Sequence, residues 1–340
     1  MELFNSRFVS ETKNITTRNI LMKILANDGI SETGVSALEK GGFEVITVKV
    51  AQEQLANYIN ENKVVGLLVR SATQVRKDLI DSCPGLKLIG RGGVGMDNID
   101  VEYAKEKGLY VINTPAASSE SVAELVFAHL FGGVRFLHDS NRAMPLEGDR
   151  KFKDLKKSYA KGSELRGKTL GVIGFGRIGQ ATAKIALGVG MKVVYTDPFI
   201  EKASLEVPFF DGQSVSFDFT SVPKEEILKT ADFITIHVPA QKEYVIGKNE
   251  FALMKKGVGI VNAARGGVLD EVALVDALAD GTVAFAGLDV FESEPKPEIP
   301  LLMHPNISLT PHIGAATQEA QDRIGTELAT QIIHLLGGGK

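Results

Sequence analysis

The stretch KTLGVIGFGRIGQATAKIA, residues 168–186, decides how this 340-residue chain is read. Its first half is a continuous apolar run, as expected of a strand buried on both faces of a parallel sheet. Its second half is made of good helix formers. Between them Gly174, Gly176 and Gly179 stand in the spacing G-x-G-x-x-G. A lone copy of that pattern says little, but a strand before it and a helix after it are the context it requires. The glycines allow a tight turn, a close backbone approach to pyrophosphate and close helix–strand packing, and the helix N-terminus offers free N–H groups. The next strand, in MKVVYTDPF, ends at Asp197, 18 residues after Gly179. An acidic side chain there takes ribose hydroxyls and repels a 2′-phosphate, so the segment predicts NAD rather than NADP.

Outward from this segment the chain alternates. Short apolar runs predict strands at 22–26, 43–48, 64–69, 86–89, 169–173, 192–196, 232–236, 258–262, 284–289 and 307–310. Helices are expected near 32–40, 53–60, 118–137, 177–188, 270–279 and 316–336. Such alternation points to an α/β protein with parallel sheets and crossover helices. Two sheets are implied, hence two Rossmann-like domains: 116–310 as the NAD-binding unit, and 22–115 with 311–340 as a discontinuous substrate domain. The charged segment 144–168 reads as a separator between a long helix and the second set of strands. Residues 1–21 are polar and carry no secretory signal; they read as an extension of unknown role.

Composition narrows the function classes. With 38 basic and 42 acidic residues, scattered along the chain, no nucleic-acid partner is indicated. No apolar run is long enough to span a bilayer, so no membrane role is expected. Cys83 is the only cysteine, which excludes an internal disulfide and a cysteine-rich metal site. That fits a reducing, cytoplasmic setting, and no metal is expected.

Three stretches after predicted strands have chemistry that folding does not require: NAARGGVLDE, GLDVFESEP and TPHIGAAT. They carry Arg265, Glu294 and His312, each beyond the carboxyl end of a strand, where open α/β sheets bind ligands. Removing hydride from a secondary alcohol needs a base for the hydroxyl proton, and His suits that near neutral pH. A carboxylate beside it fixes the tautomer and stabilises imidazolium. An Arg fork grips a substrate carboxylate with two hydrogen bonds.

On these motifs the chain resembles the D-isomer-specific 2-hydroxyacid dehydrogenases, from Met22 to the last helix. The separations agree with that family: 294 − 265 = 29 and 312 − 294 = 18. The resemblance implies that Arg265, Glu294 and His312 are catalytic. It further implies that Arg177, Ile178 and Asp197 touch the cofactor, Asp289 the nicotinamide amide, and that Val238, Pro239, Ala263, Ala264, Arg265 and His312 line the same cleft. His237, in the same HVP turn, is the rival acid/base, with a structural role preferred.

The first half of the chain bears on the substrate. In GLLVRSATQV, Arg70 ends a strand beside Ser71 and Thr73, a place for a distant anionic group. In LIGRGGVGMDNID, the backbone of Gly92, Gly93, Val94 and Gly95 is expected to leave N–H groups free to cradle a carboxylate. Both stretches resemble the phosphoglycerate dehydrogenase branch, which implies a phosphorylated 2-hydroxy acid. Val94 departs from that branch by lacking a hydroxyl. The chain ends at Lys340, so a C-terminal regulatory domain and feedback through it are not expected. The resemblance also admits a glyoxylate, hydroxypyruvate or other 2-keto acid reductase, and more remotely an NAD(H)-sensing corepressor. It implies a homodimer, for which the apolar helix 121–138 is the natural contact. The aromatic stretch 208–226 suggests no function.

Overall fold

A computed structural model describes residues 21–337. The extension read over residues 1–21 lies outside the described residues except for Leu21, and so do residues 338–340.

The first sheet holds β1 (Met22–Ala26), β2 (Phe43–Ile46), β3 (Val64–Val69), β4 (Leu88–Arg91) and β5 (Tyr110–Asn113). All pairs are parallel, in the order β2-β1-β3-β4-β5. Helices α1 (Glu32–Lys40), α2 (Leu55–Asn62), α3 (Lys77–Ser82) and α4 (Val101–Glu106) join these strands. Then α5 (Ser119–Val134) and α6 (Leu137–Ser158) lead to the second sheet.

That part contains β6 (Thr169–Ile173), β7 (Lys192–Thr196), β8 (Lys202–Pro208), β9 (Ser214–Thr220), β10 (Phe233–Ile236), β11 (Val258–Asn262), β12 (Val283–Leu288) and β13 (Ile307–Leu309). Six of them form a parallel sheet, ordered β13-β12-β11-β10-β6-β7. Its helices are α7 (Arg177–Val189), α8 (Lys224–Thr230), α9 (Lys248–Leu253), α10 (Glu271–Ala279) and α11 (Ile299–Leu302). The final helix, α12 (Gln318–Leu336), returns to the first sheet. There Ile324, Leu328 and Ile332 share a core with Ile24, Leu38 and Leu68. A Cβ on Gly34 of α1 would stand 2.8 Å from the Gly325 Cα, so two glycines let α1 and α12 cross closely.

Strand order sets where ligands go. In the second sheet the winding reverses between β6 and β10, and in the first between β1 and β3; open α/β sheets bind ligands at such switch points. Glycines follow β6 at the first switch point, and Arg70 follows β3 at the second.

Three expectations change. Residues 144–158 are not a separator but most of α6, a helix with no buried residue, kinked at Lys151 and containing Pro145. Its charged surface hid its helical nature, because no apolar stripe had to be buried. Both main sheets are parallel throughout, as expected, and β8 and β9 add a separate antiparallel hairpin. Leu205 of β8 is buried beside α7, and the aromatic stretch forms the hairpin's far end, with Phe209 and Phe210 exposed. β5 was too short a run to be told from a loop. Finally, most of the apolar side of α5 is spent on its own core, with Val122, Val126, Phe127, Leu130 and Val134 buried, while Phe131 stays exposed.

Candidate active site

The carboxyl ends of both sheets face one cleft, a cavity of about 490 Å³. Arg70, Ser71, Gly92, Gly93 and Val94 line it from the first sheet. Gly176, Arg177, Ile178, Val238, Pro239, Ala263, Ala264, Arg265, Asp289 and His312 line it from the second. Gly174, Gly179, Asp197 and Glu294 are not in its wall.

His312 follows β13 with a left-handed φ of +55°, unusual for a residue with a side chain. Its backbone N–H donates to the carbonyl oxygen of Asp289 at 2.8 Å. Its Nδ1 lies 2.8 Å from Glu294 Oε2, while Glu294 Oε1 accepts the Phe291 N–H at 3.1 Å. A carboxylate only accepts, so Nδ1 carries the hydrogen and Nε2 is left bare to take a proton.

Arg265 reaches across the cleft. Its Nε donates to Asp97 Oδ2 at 3.0 Å, and its Nη1 to the Ala264 carbonyl oxygen at 2.6 Å. A Cβ on Gly95 would lie 1.5 Å from Arg265 Nη2, so only glycine lets the guanidinium rest there. Asp97 comes from the loop after β4 and Arg265 from the turn after β11, so this ion pair joins the two halves.

The loop after β3 is held by Asp28, whose carboxylate accepts from the backbone N–H of Arg70 and Thr73 and from the Thr73 hydroxyl. The Arg70 side chain itself makes no ion pair among the described residues, and neither does that of Arg91. Arg91 ends β4 next to Arg70, with a buried Nε that has no partner. Burial above all, then the neighbouring Arg265 and Arg70 guanidiniums, pushes Arg91 down to about 10. It is still a cation at neutral pH, so three guanidiniums converge here. The backbone cradle is smaller than expected: the Gly92 N–H continues the sheet ladder by donating to Val69 O at 2.9 Å.

At the glycine turn, a Cβ on Gly179 would lie 2.2 Å from the Gly174 carbonyl oxygen, and a Cβ on Gly176 would meet nothing within 4 Å. Gly179 packs helix on strand; Gly176 opens the turn to the cleft. α7 begins without a side-chain cap, and its first internal donor is the Gln180 N–H to Gly176 O. The N–H groups of Arg177, Ile178 and Gly179 thus find no acceptor among the described residues, which suits an anion. Asp197 caps the turn from β7, accepting the N–H groups of Phe175, Phe199 and Ile200. His237 also lines the cleft and is half-buried, its ring Nε2 held 3.2 Å from Thr182 Oγ1 and 3.0 Å from Thr235 Oγ1. Burial drives it down to about 3, so it holds no proton at neutral pH.

The family model described as the D-isomer specific 2-hydroxyacid dehydrogenase, NAD binding domain, matches residues 127–314, more than half the chain. The chain belongs to the D-isomer specific 2-hydroxyacid dehydrogenases. It is 44% identical over 321 residues to a D-3-phosphoglycerate dehydrogenase of Methanocaldococcus jannaschii, which spans 94% of this chain but only 58% of that protein. It is 41% identical over 321 residues to a hydroxypyruvate reductase of Thermotoga maritima, across 93% of this chain and 98% of that one. A solved glyoxylate reductase from Paecilomyes thermophila superposes with a TM-score of 0.76 at 28% identity, covering 93% of this chain and 96% of that one.

A D-2-hydroxyacid dehydrogenase of this family takes NAD, and the turn fits it: three free helix N–H groups for pyrophosphate, an open face at Gly176, and the Asp197 carboxylate at the strand end. Sequence reasoning passed over Arg91, though the argument used for Arg70, an Arg directly after a buried strand, applies to it equally. It also passed over Asp97 and Thr310, whose partners lie 168 and 21 residues away. No helix among the described residues is long and apolar enough to cross a membrane.

Proposed function

We propose that this D-2-hydroxyacid dehydrogenase oxidises 3-phospho-D-glycerate to 3-phosphohydroxypyruvate, the entry step of serine synthesis. The observation that carries this reading is the pair of uncompensated guanidiniums, Arg70 and Arg91, on the first-sheet side of a cleft that has Arg265 on the other. A substrate with a carboxylate at one end and a phosphate at the other needs cations at both ends. Arg265, with the N–H groups of the Gly93–Gly95 turn, holds the carboxylate. His312 Nε2 takes the hydroxyl proton, and Glu294 stabilises the imidazolium that results. When bound, NAD supplies the acceptor for the hydride that leaves C2. Closing the halves excludes water and aligns the reacting groups.

The matches to phosphoglycerate dehydrogenases support this substrate. A second reading, reduction of hydroxypyruvate or glyoxylate, is favoured by the Thermotoga maritima relative, matched over 98% of its length. It leaves Arg70 idle. NADH formation is the test, with 3-phospho-D-glycerate, D-glycerate and D-lactate, in wild type, Arg70→Ala and His312→Asn. On the first reading only the phosphorylated acid turns over well, Arg70→Ala loses that preference, and His312→Asn lowers every rate by roughly 10²–10⁴-fold. Equal rates with D-glycerate, untouched by Arg70→Ala, establish the second.

The reading includes two units, 22–115 with 311–340 and 116–310, supported by the seat of α12 on the first sheet. It also includes a homodimer. The contact shifts from α5 to α6, which exposes Leu137, Met144, Leu146 and Phe152. The lone, buried Cys83 thiol suits a cytoplasmic enzyme.

A further inference from the structure

We propose that His129 is a positioning residue of this active site: from α5 it holds Asp289, through the hydroxyl of Thr310, in the orientation that carries the His312 loop. The inference rests on reading Asp289 as a residue that faces the cofactor.

The chain of contacts is short, and its two ends are buried. His129 is 2% exposed and Asp289 is 1% exposed. Asp289 Oδ1 accepts the Thr310 hydroxyl at 2.7 Å and the Ile313 N–H at 2.8 Å, while Oδ2 accepts the Gly314 N–H at 2.8 Å. Thr310 has one hydroxyl hydrogen, and the carboxylate takes it. The 3.1 Å contact between Thr310 Oγ1 and His129 Nε2 must then be an Nε2–H donating to the hydroxyl oxygen. A neutral imidazole so oriented has a bare Nδ1, and Ser308 Oγ stands 2.9 Å from it as donor. Every polar atom of the relay is paired, and each direction follows from the carboxylate at its end.

The sheet is built around this ring. A Cβ on Gly287 of β12 would lie 2.6 Å from His129 Cβ and 2.7 Å from its Cγ, so that position leaves room for the imidazole. Ser308 and Thr310 are two residues apart and face the ring together. Burial keeps His129 below its ordinary range, hence neutral, as the relay requires. The far end is the site itself: the His312 N–H donates to the Asp289 carbonyl oxygen.

The test uses the full chain and two readouts that need no turnover. Long-range ¹H–¹⁵N spectra of the imidazoles report the tautomer, and fluorescence titration reports NADH affinity. The expected result is the Nε2–H tautomer at His129 in wild type, relaxing in Thr310→Val. His129→Met should weaken NADH binding by roughly three- to tenfold, the loss of one buried hydrogen bond. His129→Gln, which keeps a donor, should restore most of it. The double variant His129→Met/Thr310→Val should lose no more than the worse single, because both break one chain. Asp289→Asn separates the two layers of the argument. If it leaves NADH binding unchanged, the reading of Asp289 falls and the inference with it. If it weakens binding while His129→Met does not, or if the double is additive, or if His129 carries Nδ1–H, the relay alone is overturned. Thr310→Val keeps the test decisive should His129→Met fail to fold.

Discussion

His312 and His237 show how environment divides one residue type into two roles. His312 stands at the cleft with Nδ1 on Glu294 and a free Nε2. His237 sits between two threonine hydroxyls and is driven by burial from 6.5 down to about 3. Since the unfolded imidazole binds a proton below about 6.5 and the folded one does not until about 3, unfolding takes up a proton between them, and stability falls as pH is lowered through that window. His237→Gln should flatten this slope, and urea midpoints at about pH 7 and about pH 5 would show it. An unchanged slope would mean that His237 is charged in the fold. The preference for His312 as the acid/base was already inferable from the flanking residues, because Glu294 and the position after a strand single it out. His129 was not inferable: nothing near it in the chain is polar in a way that marks a relay, and its partners are 179 and 181 residues away.

At the scale of elements, the glycine turn was the most legible feature, since its backbone geometry admits few side chains. Gly179→Ala would drive a Cβ toward the Gly174 carbonyl oxygen, now 2.2 Å from that site, and push α7 off β6. The expected result is at least about tenfold weaker NADH binding, or ~1.4 kcal/mol, with a lower melting temperature. Fluorescence titration with calorimetry checks both, and wild-type affinity would mean that the turn relaxes freely. α6 was the least legible. A helix that buries no residue gives little for a sequence reading to hold, and its Leu146 and Phe152 stay exposed.

At the scale of the molecule, the Asp97–Arg265 ion pair ties one half to the other at 3.0 Å, although Asp97 is 59% exposed. Asp97→Ala frees the guanidinium to wander, so KM for the hydroxy acid should rise by roughly two- to fivefold, the modest effect of an exposed pair. The kcat should change less, and Asp97→Asn, which keeps an acceptor, should lie near wild type. Steady-state kinetics decide this; a lower KM in Asp97→Ala would show that the carboxylate competes with the substrate instead.

Sequential order was enough for the alternating α/β architecture, its two parallel sheets and the glycine turn, and it pointed to Arg265, Glu294 and His312 as the candidate set. These depend on local backbone demands and on strand burial, which leave marks at short spacing. Tertiary structure alone decided the pairing of Asp97 with Arg265, the convergence of Arg70 and Arg91, the loss of the Gly92 N–H to the ladder, and the His129 relay. Each of these joins side chains or strands brought together by sheet order, and such contacts leave no period in the chain.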